Sequence, residues 1–151
     1  MVISEHQERE AFVNTPKFSL TDTRVMTATD STPALRRASE IAYDTVELAE
    51  GLQKGVLLGD EDGTPNFDMR RFILQPGARV PRHTNEVEHE QFVIEGTYQV
   101  GIGEETHTVA AGDSLLIPAG VEHWYRNDSD DRGSFLCVVP KGDDEITVRE
   151  P

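Results

Sequence analysis

A chain of 151 residues with a formal charge of −14 and a single cysteine has room for one ordinary domain with a real core. Its acidic balance excludes a nucleic-acid surface, which needs clustered positive charge, and Cys137, having no partner, excludes an intrachain disulfide. No apolar run approaches the roughly 20 residues of a membrane span, and the opening "MVISEHQERE" is acidic where a signal peptide is basic. A cytoplasmic protein is expected. Of the 14 basic residues only Lys17, Lys54 and Lys141 are lysine. Such an acid-rich, lysine-poor surface suits a halophilic cytoplasm, where charge is screened, without requiring one.

Residues 1–38 are rich in Thr, Ser, Asp and charge with no sustained period. They predict a flexible or loosely docked N-terminal extension, with Met26 an alternative start. Within it "STPALRRASE" predicts one short helix, capped by Ser31 or Thr32 with Pro33 in its first turn. From Ile41 onward strand-like runs alternate with turn signals: "IAYDTVEL", "KGVLLG", "DEDGTPNF", "MRRFILQPG", "EQFVIEG", "TYQVGIGEE", "THTVAAGD", "SLLIPAG", "HWYRND" and "SFLCVVPKG". Short strands at this spacing predict a single all-β domain over 39–151, an antiparallel sandwich or barrel. The end "GDDEITVREP" predicts solvated surface in which "EITV" can pair as an edge strand.

The chemistry concentrates in the histidines. His6, in the tail, and His107, in "THTV", are read as surface residues, whereas three others invite a metal. His83 and position 85 share a strand face, His89 opens the next run, and His123 opens another far along the chain. A site built from neighbouring antiparallel strands needs this split, and neutral imidazoles suit Fe, Mn, Ni, Cu or Zn without choosing among them.

Residues 77–96, "GARVPRHTNEVEHEQFVIEG", and 112–127, "GDSLLIPAGVEHWYRN", resemble the two motifs of the cupin superfamily. The second matches G-x5-P-x-G-x2-H-x3-N throughout, at Gly112, Pro118, Gly120, His123 and Asn127. The first keeps Gly77, His83 and Gly96 but has Asn85 at the second histidine position and His89 where a carboxylate is usual. Glu90 is the alternative for that carboxylate role; positions 89 and 90 face opposite sides, so only one can point inward. "EHEQFVIEG" and "FLCVVPKG" also resemble small single-domain cupins whose metal is held by four histidines.

The resemblance implies a double-stranded β-helix, or jelly-roll barrel, that holds a divalent transition metal through His83, His89 and His123, with Asn85 a weak fourth position. It further implies a small-molecule substrate and a homodimer, with 41–58 as the contact or exchange element. By strand parity Tyr125 follows His123 inward, Gln91 follows His89, and Cys137 shares a face with Phe135 and Val139. Tyr125, Gln91 and Cys137 are therefore candidates for residues around the metal or pocket, Cys137 also reading as a small buried hydrophobe. One arginine of Arg70 and Arg71 points inward, as a substrate-binding group or a structural ion pair. Glu86, Glu88 and Glu90 read as a solvated rim. The function expected first is a dioxygenase-like oxidoreductase; a non-redox isomerase, epimerase or lyase and a non-catalytic ligand-binding cupin stand beside it.

Overall fold

The computed structural model describes residues 32–149. The greater part of the predicted extension, with His6, Met26 and Ser31, lies outside them. Ten strands follow in chain order: β1 (Asp44–Thr45), β2 (Glu50–Leu58), β3 (Phe67–Thr84), β4 (His89–Glu95), β5 (Thr97–Ile102), β6 (Glu105–Ala110), β7 (Ser114–Ile117), β8 (His123–Arg126), β9 (Gly133–Pro140) and β10 (Thr147–Val148). They form one antiparallel sheet that runs β6-β5-β8-β3-β9-β4-β7, with β2 and β10 also paired to β3. The all-β expectation holds.

The hinge of this architecture is β3. Its first half, Phe67–Leu74, pairs with β9, and its second half pairs with β8 from Arg79 to His83. A single strand of 18 residues thus passes from one face of the curled sheet to the other. The sequence suggested a stop at "QPG", and the chain does bend there, since Gly77 takes φ 82°, a conformation that costs a residue with a Cβ. Pairing nevertheless continues through the bend.

Alternation along each strand decides what the barrel contains. In β4, His89, Gln91 and Val93 are buried while Glu90 and Phe92 are exposed. In β8, His123 and Tyr125 point inward, and in β9, Phe135, Cys137 and Val139 do. These parities are the ones the sequence predicts. The core is built around Leu74, Val93, Val100 and Ile117, each at most 1% exposed, and each such side chain contributes roughly 1.5–3 kcal/mol by leaving water. Phe135 stacks on Phe72 at 5.2 Å and on Tyr125 at 5.1 Å between ring centres, extending the core toward the histidines. At the turn after β4, a side chain on Gly96 would lie 2.5 Å from the Arg132 carbonyl oxygen. This close backbone approach explains the motif's glycine.

Two expectations need correction. The helix in "STPALRRASE" is absent from 32 onward, where extended chain precedes a 3-10 turn at Ala38–Glu40. The apolar content of that stretch is too small to give a helix anything to pack on. "DEDGTPNF" is not a strand throughout: Asp60–Asp62 form a 3-10 turn closed by Gly63 at φ 74°, with β3 starting only at Phe67. Within 41–58, β2 pairs along its length with β3 of its own chain. As predicted, "EITV" does pair at an edge, Thr147 opposite Thr84 and Val148 opposite His83.

Candidate functional site

His83 at the end of β3 faces His123 at the start of β8 in register, and His89 starts β4. The fold brings the three rings together, His83 and His123 with centres 4.1 Å apart and His89 and His123 5.7 Å apart. His89 and His123 are 7% and 1% exposed. Nδ1 of His83 donates to the Pro81 carbonyl at 2.8 Å, and Nδ1 of His123 donates to the Val121 carbonyl at 2.9 Å. A carbonyl only accepts, so each Nδ1 carries the proton and each Nε2 keeps its lone pair.

Burial holds these rings neutral. It lowers His89 to about 4, helped by the nearby Arg70 and His123 charges, and lowers His123 to about 4, helped by His83. His83 is lowered by the same burial, against its bond to Pro81. The Nε2 atoms of His89 and His123 are buried without hydrogen-bond partners. An unpartnered buried polar atom costs about 1–3 kcal/mol, so two on facing rings mark a place for a ligand.

Asn85 is buried beside them, and its amide is oriented by a residue the sequence reading left on the surface. Asp144, from the segment before β10, accepts from Asn85 Nδ2 at 2.8 Å and from the Glu86 amide at 2.9 Å. Only the amide nitrogen can face a carboxylate, so Asn85 Oδ1 is turned away, and it is buried with no partner. Asp144 Oδ2 lies 3.9 Å from His89 Nε2. "GDDEITVREP" is therefore not solvated throughout. The available signal was the "EITV" pairing itself: a strand returning to His83 carries the residue three positions earlier to the same end of the barrel.

A cavity of about 110 Å³ opens on this cluster. His83, Asn85 and His89 line it, Arg70 and Lys54 also reach it, and Leu52, Phe72, Val80, Ile146 and Val148 are among its apolar walls. The three other predicted residues lie in the barrel interior and do not line it. Gln91 Nε2 donates to the Tyr125 hydroxyl at 2.6 Å, and the Tyr125 ring meets His123 edge-on at 6.0 Å. Burial raises the Tyr125 phenol, and it raises the Cys137 thiol, which receives a long contact of 3.6 Å from Arg70. The pair Gln91–Tyr125 thus packs behind His123, and Cys137 behind Arg70. Glu90 points out, which leaves His89 as the inward residue.

The donor chemistry suits a divalent transition metal: neutral imidazoles, those of His83 and His123 with Nδ1 fixed by backbone so that Nε2 keeps its lone pair, and an amide oxygen of Asn85 buried without a partner. Among the described residues, no three His, Cys, Asp or Glu side chains are already drawn close enough to hold an ion. Holding one requires the rings to close in further.

Comparison with known proteins accords with this geometry. The chain is 27% identical over 99 residues to Protein SchB of Streptomyces halstedii, a match spanning 63% of this chain and 72% of that protein. It is 33% identical over 65 residues to Polyketide synthase CurC of Streptomyces cyaneus, covering 42% of each. Among solved structures it resembles the polyketide cyclase RemF from Streptomyces resistomycificus, with a TM-score of 0.68 and 25% identity over 72% of this chain and 80% of that one. Residues 70–139 match the family described as the cupin domain. Strand topology, motif residues and this match over 70–139 agree on a cupin-type β-barrel fold for the chain.

Proposed function

We propose that the protein is a divalent-metal-dependent enzyme that moves a proton on a small carbonyl compound, in a cyclisation, isomerisation or lyase reaction. One observation carries this reading: three imidazoles held neutral cluster together with a carboxylate 3.9 Å from one of them, and two of the three, His83 and His89, line one largely apolar cavity. The names of two relatives, a polyketide cyclase and a polyketide synthase, lend support.

His83, His89 and His123 are the residues that would hold the ion, with Asn85 Oδ1 the additional oxygen. Such an ion supplies Lewis-acid polarisation of a carbonyl oxygen. Asp144 takes the proton from the carbon beside that carbonyl and returns it, because Oδ2 is the carboxylate oxygen nearest the rings. Its bonds to Asn85 and to the Glu86 amide orient it. The apolar walls contributed by Leu52, Phe72 and Val148 exclude water from the body of the substrate.

The dioxygenase reading uses the same donor set, with oxygen as a second reactant. The two separate in one experiment. The protein is reconstituted anaerobically with Fe(II), Mn(II), Ni(II), Cu(II) or Zn(II) and offered a β-keto ester in deuterated water, with and without oxygen. Metal-dependent deuterium incorporation beside the ketone, lost in Asp144→Asn, is the expected result. Oxygen uptake without incorporation would replace this reading by the dioxygenase. Neither activity, together with equal thermal shifts of the original protein and His123→Ala on metal addition, would leave a non-catalytic ligand binder.

A further inference from the structure

The two neighbouring arginines of β3 have different fates. Arg71 points outward and is fully engaged: Nη2 bonds Glu95 at 3.1 Å and Ser134 at 3.0 Å, and Nε bonds Ser134 at 3.2 Å. Arg70 points inward to the cavity, and no carboxylate among the described residues lies within ion-pair distance of it. Its Nε is buried without a hydrogen-bond partner, its guanidinium sits 5.5 Å from the centre of the Phe72 ring, and its one side-chain polar contact among the described residues is the long one to the Cys137 sulfur. A guanidinium placed this way keeps its charge and most of its donors unused.

The charge around it is equally uneven. The whole chain carries −14, yet among the described residues the cavity is lined by two cations, Arg70 and Lys54, and by no acidic residue. Both are half-buried, and withdrawing even part of an uncompensated cation from water is costly. An anion that fills the space supplies the compensation, and apart from His83, Asn85 and His89 the remaining walls are aliphatic and aromatic.

We propose that Arg70 is the anion-recognition group of this cavity, and that the ligand it selects is a small carboxylate with an apolar body. The carboxylate takes the two-pronged face of the guanidinium, and the body lies against Leu52, Phe72 and Val148. This deepens the preceding function by naming a substrate class and rests on the same cavity, but it does not require the metal.

The test is calorimetric titration of the full chain, dialysed against chelator and then again with Mn(II) added, using benzoate and butyrate beside their neutral counterparts benzamide and butyramide. At least one carboxylate is expected to bind the metal-free protein about tenfold or more tightly than its amide. Arg70→Met should weaken that carboxylate by about tenfold or more and leave the amide unchanged. Arg70→Lys keeps the charge but loses the fork, so it should bind between the two and retain the preference for anion over amide. That variant decides the matter if Arg70→Met proves unfolded by its melting curve. Equal binding of acid and amide, an unaltered carboxylate affinity in Arg70→Met, loss of anion preference in a folded Arg70→Lys, or no binding of either carboxylate overturns the proposal. Arg70-dependent binding without any metal retention would preserve it while removing the metal-dependent function. Deuterium exchange without Arg70-dependent binding would do the reverse.

Discussion

Two buried asparagines, at opposite ends of the barrel, show what a satisfied and an unsatisfied amide are for. Asn127, 0% exposed, donates through Nδ2 to the carbonyls of Leu74, Gln75 and Asp131, while its Oδ1 accepts from the Ser129 amide and hydroxyl. Asn85, 5% exposed, makes one side-chain bond, to Asp144, and leaves Oδ1 without a partner. Both occupy motif positions. The first ties the loop after β8 to the bend of β3 and completes a structure; the second leaves a buried acceptor without a partner. The same contrast separates Arg71, fully engaged outside, from Arg70.

The sharpest way to break the comparison is Asn127→Ala. It leaves three carbonyls without their donor, that of Leu74 fully buried and those of Gln75 and Asp131 partly so, and it frees the Ser129 amide and hydroxyl, so unfolding in urea should show a loss of about 3 kcal/mol or more. A loss below about 1 kcal/mol would mean that water replaces the amide, and the distinction between the two ends would collapse. Acid offers the next largest effect, at the other end. His89 and His123 have folded values near 4 against an ordinary 6.5, so the unfolded chain binds more protons between those limits. Their contribution is present above pH 6.5 and is lost as pH falls toward 4, on the order of a few kcal/mol in the chelated protein. His123→Gln should flatten that slope in urea titrations at stepped pH, and an unchanged slope would assign it elsewhere. Smallest in stability is Asn85→His, within about 1 kcal/mol because little is bonded there. Its readout is different: added imidazole should slow stripping of Mn(II) by chelator, and an unchanged rate would mean that position 85 does not face the ion.

What the sequence made legible follows from what short-range patterns carry. Strand parity put His89, Gln91, Val93, His123, Tyr125 and Cys137 inward, because a period of two survives any tertiary arrangement. The second motif placed His123 at a strand start, where it lies. The continuous path of β3 through Pro76 and Gly77 was not legible, since the same two residues end strands elsewhere and only the pairing with both β8 and β9 keeps this one going. Asp144 was missed for a related reason. A lone acidic residue in an acidic tail has no local signature, and its role depends on a contact spanning 59 positions to Asn85. The separate fates of Arg70 and Arg71 were legible as a parity but not as an assignment, because which partner each would find depended on Glu95 and Ser134 in other strands.

The last strand gives the molecule a division of labour. The barrel fixes the imidazoles, and changing their positions would disturb β3, β4 and β8 together. Part of the cavity wall, Ile146 and Val148, and the carboxylate of Asp144 come instead from a tail anchored by a strand of two residues and by the Arg149 amide on the Arg82 carbonyl at 2.8 Å. Ile146 and Val148 are 47% and 39% exposed, so substitutions there draw little on the core. New ligand preferences can therefore be explored by rewriting a handful of terminal positions, for a laboratory as for a lineage, while the imidazole cluster and the barrel that holds it stay as they are.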